Sequence, residues 1–337
     1  ATEYNESLDA WTATTGVRAL PFGTYEIVET KAPVGYTGEG IVSHVVEIRE
    51  DGQFDQLVEA DGMLNEVVRG GVMVQKDDLE LEKSEALGGA DHSALSGEGY
   101  LGTSLEGIEF TVVNASEHGV MVEDTYRPKG SVVAVIETAW NPEKEAYTAQ
   151  TASDALPYGT YTIQETKTND SYLLTDGTPR TFQVRAEGVL VAGDRYERPL
   201  EFFDQVVRND LEIVKMAEDT NASLQVAFKV TNVSTGESHV LVTDKNGNVS
   251  TASSWNKHSS NTNGNDGLLS SESIKASDMD SKAGIWFSLG EDGSNAAVDD
   301  GLSALPYGKY LLEELRSDSN EGYDLVTKTF VIERDST

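Results

Sequence analysis

The chain has 337 residues and carries 58 Asp and Glu against 25 Lys and Arg, so its formal net charge is −33 at pH 7. This excess of negative charge argues against nucleic acid or anionic lipid as a partner, because phosphate recognition needs a basic surface. Cysteine is absent, which excludes disulfides, thiolate metal sites and a cysteine nucleophile. The longest apolar run, Val132 to Ile136, is too short to span a membrane.

Taken from the N-terminus, the local patterns are those of β-strands. Alternating apolar and polar residues occur from Thr24 to Val28, Thr160 to Gln164, Thr181 to Val184 and Thr329 to Ile332. Turn signals separate such stretches, and Asn246-Gly247 in particular predicts a hairpin. We find no stretch of ten or more residues with helical periodicity. The sequence therefore predicts an all-β chain of tandem antiparallel sandwiches.

One motif, Leu-Pro followed by an aromatic residue, Gly, any residue and Tyr, occurs three times. Its prolines are Pro21, Pro157 and Pro306. The intervals of 136 residues (157 − 21) and 149 residues (306 − 157) correspond to whole domains rather than to solenoid repeats.

Two further matches fix the order of strands within a unit. The segment Leu64 to Arg69 aligns with Phe203 to Arg208, and the strand around Phe110 aligns with that around Phe228. Each unit then has a lysine strand, a Phe strand, the Pro-aromatic-Gly turn with a Glu strand, and a closing strand with Asn or Asp.

This order divides the chain into three predicted units. Residues 69–207 hold a complete unit, 1–68 hold the back half of another, and 208–337 lack the final strand of a third. We therefore expect the chain to be part of a longer array. Because Ala1 to Asn5 lacks the basic and apolar regions of a signal peptide, we expect either a cytosolic protein or a piece of a larger exported one.

Two insertions interrupt the repeat. The interval from Lys76 to Phe110 exceeds that from Lys215 to Phe228 by 21 residues (34 − 13), and the last unit has 34 extra residues after Trp255 (51 − 17). The second insertion is rich in Ser, Asn and Asp, so we expect 256–283 to be a mobile surface loop that folding does not require.

Strand alternation brings charged residues to the apolar faces of the strands. In the complete unit, Lys76, Glu165 and Asp204 share the parity of the core residues of their strands. The equivalent residues elsewhere are Glu29, Asn65, Lys215 and Glu314. Since an unpaired buried charge is unfavourable, we expect the residues of each set to lie together.

Such a set can react. Burial favours the neutral amine of a lysine and the neutral acid of a glutamate. A neutral amine next to a carboxyl or carboxamide group that a protonated glutamate polarises can condense with it to an amide, with the glutamate transferring the proton. The alternative interpretation of the same three residues is a buried salt-bridge cluster.

The turn motif with its following Glu-Thr, and with Lys31-Ala32-Pro33-Val34-Gly35-Tyr36 in the first unit, resembles the collagen-adhesin B-type domains of Gram-positive surface proteins and pilins. The resemblance covers nearly the whole chain. It implies prealbumin-like, Ig-like sandwiches that form an intramolecular Lys–Asn or Lys–Asp isopeptide bond with the help of a Glu.

The resemblance also implies roles for individual residues. In the complete unit, Lys76 would be the amine, Asp204 the acceptor and Glu165 the catalytic acid. In the first unit Glu29 and Asn65 would be catalytic acid and acceptor, with the lysine before residue 1.

In the third unit Lys215 and Glu314 would be amine and catalytic acid, with the acceptor after residue 337, so we expect no cross-link at Lys215 in this chain. The third unit departs from the family pattern because it lacks the Ala-Pro-x-Gly-Tyr segment.

Other motifs are weaker. The run Gly97 to Gly102 fits a dinucleotide fingerprint, but no predicted strand precedes it and no helix follows. The run Asp244 to Asn248 begins like a calcium loop but lacks the Gly and Glu that complete one. We therefore predict no cofactor and no metal, and no enzymatic activity beyond the autocatalytic formation of the bond.

The resulting interpretation is a structural stalk segment of a cell-wall-anchored, extracellular bacterial adhesin or pilin. Its partners would be neighbouring domains of the same surface protein, and a host surface ligand is a further candidate. The alternative function is an adhesive module that recognises a host glycan or matrix protein through the insertions at 92–106 or 256–300. An extracellular enzyme is the third candidate and would need a pocket with convergent carboxylates.

Overall fold

The computed structural model describes residues 2–37, 43–55, 64–90, 101–195, 198–271 and 273–333. Within these ranges the chain is built of strands and short 3-10 turns, with no α-helix, so the all-β prediction is confirmed. The 3-10 turns are Asp266–Ser270, Ala276–Asp278 and Asp318–Asn320.

The strands follow the order of the predicted units. Those of residues 1–68 are β1 (Glu3–Asn5), β2 (Ala10–Thr12), β3 (Gly23–Ile27) and β4 (His44–Ile48). Those of residues 69–207, the middle unit, are β5 (Arg69–Asp78), β6 (Glu109–Asn114), β7 (Val120–Val122), β8 (Thr125–Arg127), β9 (Val132–Glu137), β10 (Ala139–Asn141), β11 (Ala146–Gln150), β12 (Leu156–Pro157), β13 (Gly159–Lys167), β14 (Tyr172–Leu173), β15 (Arg180–Val184), β16 (Leu190–Val191) and β17 (Glu201–Val206). Those of residues 208–337, the last unit, are β18 (Arg208–Asn209), β19 (Glu212–Val214), β20 (Ala227–Asn232), β21 (Ser238–Val242), β22 (Asn248–Ser250), β23 (Leu305–Pro306), β24 (Gly308–Glu314) and β25 (Thr327–Ile332).

Two sheets face each other in the middle unit. One has the order β10-β11-β5-β17-β14, with β12 and β16 also paired to β5, and the other has the order β15-β13-β6-β9. Their inner faces meet in one hydrophobic cluster that extends along the unit from Val72 to Val206.

The first and last strands of the middle unit run side by side in the same direction. β17 pairs with β5 in parallel, with Phe202 opposite Lys76 and Asp204 opposite Asp78, and β16 also pairs with β5 in parallel. The other pairings described for the unit are antiparallel, so the predicted antiparallel sandwich is confirmed and contains parallel pairs at β5. A parallel pair needs a long connection, and here that connection is almost the entire unit.

The repeated turn motif closes on itself in the same way in every copy. The tyrosine hydroxyl donates a hydrogen bond to the carbonyl oxygen of the proline four residues earlier. These bonds are Tyr25 to Pro21 at 2.8 Å, Tyr161 to Pro157 at 2.7 Å and Tyr310 to Pro306 at 2.7 Å. The motif therefore sets the direction in which the Glu strand leaves the turn.

The segment Asn246-Gly247 does not form the predicted hairpin. The strands that flank it belong to different sheets, because β21 pairs with β20 while β22 pairs with β19. The Asp244 carboxylate accepts hydrogen bonds from the backbone N–H groups of Asn246 and Asn248, so the turn is stabilised locally. A tight turn signal thus marks a link between sheets.

The insertion at 256–283 is packed against the last unit, so the expectation of a surface loop is wrong. Its apolar residues share a cluster with strands β20 and β21. That cluster contains Ala227, Val240, Val242, Leu268, Ile274 and Met279. Two asparagine side chains of the insertion pair with main-chain groups as a neighbouring strand would. Asn263 accepts from the N–H of Trp286 and donates to its carbonyl oxygen, and Asn265 does the same with Asp280.

A histidine ties this insertion to β21. His239 lies between two carboxylates, with Nδ1 2.8 Å from Asp266 Oδ2 and Nε2 3.0 Å from Glu237 Oε1. Burial alone would lower the pKa of His239, but the hydrogen bonds to Asp266 and Glu237 outweigh it and raise the pKa to about 9.

Residues of the first insertion contact the last unit at its junction with the middle unit. Arg208 is buried there and donates to both carboxylate oxygens of Glu80, at 2.8 and 2.9 Å, while its guanidinium stacks 3.9 Å from the ring centre of Trp286. Further polar contacts join the units, from Lys83 to Asp292, Ser294 to Glu85 and Tyr147 to Glu291. The first insertion therefore contributes Glu80, Lys83 and Glu85 to the contact between the two units.

We predict that packing of the insertion contributes measurably to stability. Replacing Leu268 with Ala should lower the free energy of unfolding by about 2–5 kcal/mol, because it removes buried methyl groups and leaves a cavity. The neighbouring Leu269 is the matched control: it is 42% exposed against 8% for Leu268, so Leu269→Ala should change stability by about 0.5 kcal/mol or less. Urea unfolding of both variants measures the difference, and equal effects would mean that the insertion is not packed.

The histidine contact predicts a pH dependence. Because the folded-state pKa of His239 lies above its ordinary value of 6.5, its stabilising effect is complete below about pH 6.5 and is lost as the pH rises through about 9. The free energy of unfolding of the wild type should fall more between these pH values than that of His239→Gln. Substitution of the exposed His118 by Gln should leave the wild-type slope unchanged.

Candidate cross-linking site

Three strands place the three predicted residues of the middle unit in its core. Lys76 follows Val72 and Val74 on the buried face of β5, Glu165 lies on β13 of the facing sheet, and Asp204 lies on β17. The side chains of all three have no exposed surface. Strand alternation therefore predicts their orientation correctly.

The structure brings these three side chains into contact. Lys76 Nζ lies 2.9 Å from Glu165 Oε2 and 3.2 Å from Asp204 Oδ2. The amine comes from one sheet and the glutamate from the other, while Asp204 comes from the strand parallel to that of Lys76. The site thus spans both sheets and both ends of the unit's chain.

One amine faces two carboxyl groups in this core. Burial raises the pKa of Glu165 to about 8; the Lys76 ammonium opposes this and the neighbouring Asp204 adds to it. Glu165 Oε1 and Asp204 Oδ2 are buried and receive no hydrogen bond from the described part of the chain. A proton on Glu165 removes the excess negative charge and supplies the donor that these two oxygens lack.

The remaining oxygen of Asp204 is held by a residue that sequence reasoning did not identify. Asp204 Oδ1 accepts a hydrogen bond from the backbone N–H of Thr175 at 2.8 Å, and Thr175 Oγ1 lies 3.3 Å away. Every residue except proline has a main-chain N–H, so the sequence gives no signal that identifies this donor.

Aromatic rings enclose the site. Phe110 lies opposite Glu165 in the strand register and Phe202 lies opposite Lys76. Their ring centres are 4.9 Å apart, and the guanidinium of Arg180 covers Phe202 at 4.1 Å. The rings exclude water from the three polar groups, which strengthens the electrostatic interactions among them.

The last unit repeats the contact between lysine and glutamate with a different surrounding. Lys215 Nζ lies 2.9 Å from Glu314 Oε2, and Phe228 lies opposite Glu314 as Phe110 does opposite Glu165. Glu314 also accepts hydrogen bonds from Asn320 Nδ2 and from the Val326 N–H, both at 3.0 Å. Both oxygens of Glu314 thus have partners, whereas Oε1 of Glu165 receives no hydrogen bond from the described residues.

The first unit brings its glutamate and its asparagine together. Asn65 Nδ2 donates a hydrogen bond of 2.6 Å to Glu29 Oε2. The amide nitrogen of the predicted acceptor therefore points at the predicted catalytic acid.

The weaker motifs find no support in the described residues. Within them, no group of three or more His, Asp or Glu side chains is arranged to hold a metal ion. Residues 97–100 of the dinucleotide-like run lie outside the described ranges. Among the helices of the described chain, none is long and apolar enough to cross a membrane.

Comparison with protein families supports the fold. Residues 99–195 match the family model described as SpaA: Prealbumin-like fold domain, which confirms the resemblance to prealbumin-like domains. The matched segment contains Glu165 and Thr175 but neither Lys76 nor Asp204. The comparison with curated proteins finds no match.

Several solved structures are similar to the chain. The Bacillus anthracis TIE protein is 19% identical with a TM-score of 0.47, over 93% of this chain and 39% of that one. A streptococcal ancillary pilin is 17% identical, TM-score 0.26, over 93% of this chain and 72% of that one. The shaft pilin SpaA of Lactobacillus rhamnosus GG is 15% identical, TM-score 0.24, over 80% and 95%. This chain thus spans only 39% of the length of the TIE protein.

Proposed function

We propose that the chain is a structural stalk segment of a bacterial cell-surface adhesin or pilin, stabilised by an isopeptide bond between Lys76 and Asp204. The observation that carries the proposal is the contact of Lys76 Nζ with both Glu165 Oε2 and Asp204 Oδ2 in a site closed to solvent. A salt-bridge cluster in which Glu165 carries a proton would account for the same contact, and the mass of the folded protein distinguishes the two interpretations.

The reaction follows from the three groups. One proton passes from the Lys76 ammonium to Asp204 Oδ2, which lies 3.2 Å from Nζ. The neutral amine that remains attacks Asp204 Cγ, and the new N–C bond gives a tetrahedral intermediate. Glu165 donates its proton to the departing oxygen of Asp204 and takes one from the nitrogen, so that its own protonation is restored. A C–O bond breaks, one water leaves and an amide remains. Each molecule reacts once, and the reaction involves no separate substrate.

The partial units take the same roles in the proposal. Lys215 and Glu314 would be amine and acid of the last unit, and Glu29 and Asn65 acid and acceptor of the first. The contacts of Lys215 with Glu314 and of Asn65 with Glu29 support these assignments. The division at residues 68 and 207, the location at the cell wall and the neighbouring domains as partners belong to the same proposal.

The position of the insertions favours a stalk over an adhesive module. Residues 256–271 and 273–300 pack on their own unit and on the middle unit, with Trp286 buried against Arg208. Residues that hold successive units in a fixed relation are what a stalk needs. A ligand-binding loop would instead present its aromatic side chains to solvent.

We predict that the folded protein is lighter than its sequence by one water. Intact mass spectrometry measures this loss, and tryptic mapping should show the peptides of Lys76 and Asp204 joined. Recovery of both peptides free and in full yield would contradict the cross-link.

We predict that Glu165→Gln and Lys76→Met both restore the uncondensed mass while the fold survives. The bond closes a loop of 128 residues (204 − 76), so its loss should lower the free energy of unfolding by about 5 kcal/mol at most on the chain-entropy model. Because both substitutions remove the same bond, the double variant should be little less stable than either alone.

The exposed Lys167 on the same strand as Glu165 provides the control, and Lys167→Met should keep the water loss. If Glu165→Gln still loses a water at the normal rate, the acid lies elsewhere.

A further inference from the structure

The two carboxylate oxygens of Asp204 have different surroundings. Oδ1 accepts the Thr175 N–H at 2.8 Å. Oδ2 lies 3.2 Å from Lys76 Nζ and has no hydrogen-bond donor in the described chain. The two oxygens of a free carboxylate are equivalent, so this difference is imposed by the protein.

We propose that the main-chain N–H of Thr175 activates the acceptor: it selects Oδ1 as the oxygen that the amide keeps and stabilises the negative charge that develops there, while Oδ2 leaves. This rests on the isopeptide bond proposed above. As Nζ bonds to Cγ, the electron pair of the C=O bond moves to Oδ1, where the N–H donates to it. When the pair returns, the bond from Cγ to Oδ2 breaks. Oδ2 then leaves as water, with one proton from the Lys76 ammonium and a second from Glu165.

The N–H rather than the hydroxyl of Thr175 is the active donor. A threonine hydroxyl has a single hydrogen. Thr175 Oγ1 lies 2.9 Å from the carbonyl oxygen of Phe203 and 3.3 Å from Asp204 Oδ1, so its hydrogen is used by Phe203. The hydroxyl thus anchors Thr175 to the strand of the acceptor, and the N–H remains directed at the carboxyl group.

The segment before Thr175 fixes this donor in place. Tyr172 and Leu173 form β14 and pair with Val206 and Gln205 on β17, the strand that carries Asp204. The Tyr172 hydroxyl donates to Asp78 Oδ2 at 2.7 Å. The donor is therefore oriented before the reaction starts, which is the condition under which a single hydrogen bond stabilises a transition state strongly.

In the first unit, the amide group of the proposed acceptor Asn65 has the corresponding orientation. There Asn65 directs its nitrogen to Glu29. In the middle unit an asparagine at position 204 would do likewise, because the Thr175 N–H can pair only with the amide oxygen. The nitrogen, as leaving group, would then face Glu165.

The test compares Thr175→Pro, which removes the N–H and the hydroxyl, with Thr175→Val, which removes the hydroxyl alone. Unreacted full-length chains are refolded by dilution from denaturant, and intact mass is followed over time. Thr175→Val should condense within about tenfold of the wild-type rate. Thr175→Pro should be slower than Thr175→Val by about 10²–10³-fold, the effect of removing one donor of this kind. Equal rates for the two variants would overturn the proposal.

A second variant keeps the test decisive if Thr175→Pro does not refold. Asp204→Asn should condense with loss of one ammonia in place of one water, and a folded Asp204→Asn chain that retains its full mass would overturn the selection of Oδ1. The wild type separates the two proposals: a folded wild type with full mass rejects the isopeptide bond itself. A cross-linked wild type with equal rates for the two Thr175 variants rejects only the role of the N–H.

Discussion

The middle unit buries one amine against two carboxyl groups, and this imbalance of charge governs the rest of the site. Two ionised carboxylates with one ammonium would leave a net negative charge in an apolar core, which is strongly unfavourable. A proton on Glu165 removes that charge, and its raised pKa reflects the same burial. Phe110 and Phe202 keep water from relieving the imbalance in another way. Condensation of Lys76 with Asp204 would replace the ammonium and one carboxylate by a neutral amide, and the proton on Glu165 would keep the core uncharged.

Alternation along strands allowed the site to be predicted from sequence. Lys76, Glu165 and Asp204 could be placed on inner faces because side chains in a strand alternate between two faces, and the repeats identified which residues correspond. Their contact could be predicted without knowing the order of the strands, because charged residues buried in one core are stable only when they pair with each other. The parallel pairing of β5 with β17 could not be predicted, because it joins strands more than a hundred residues apart and no local pattern encodes it.

The insertion at 256–283 and the Thr175 contact were not predicted correctly, because both depend on hydrogen bonds to or from the main chain. Asn263 and Asn265 are typical of exposed loops, yet here their amides pair with main-chain groups and let the insertion bury Leu268 and Trp286. Thr175 contributes through its main-chain N–H, which every residue except proline possesses. In each case the contact depends on where the residue lies in the fold, and the residue type alone does not reveal it.

The parallel register of β5 and β17 has a consequence for the length of the proposed stalk under tension. The chain enters the middle unit at the start of β5 and leaves at the end of β17, so a pull on both ends draws the two strands past each other. With Lys76 joined to Asp204, tension passes from one strand to the other through the side chains, and the 127 residues between them (204 − 76 − 1) bear none of it. Unfolded, those residues would add roughly 420–460 Å of contour length, at about 3.3–3.6 Å each. In the proposed stalk the unit would then behave as an inextensible link, and extension would occur at the junctions, where Arg208 and Glu80 hold one unit to the next.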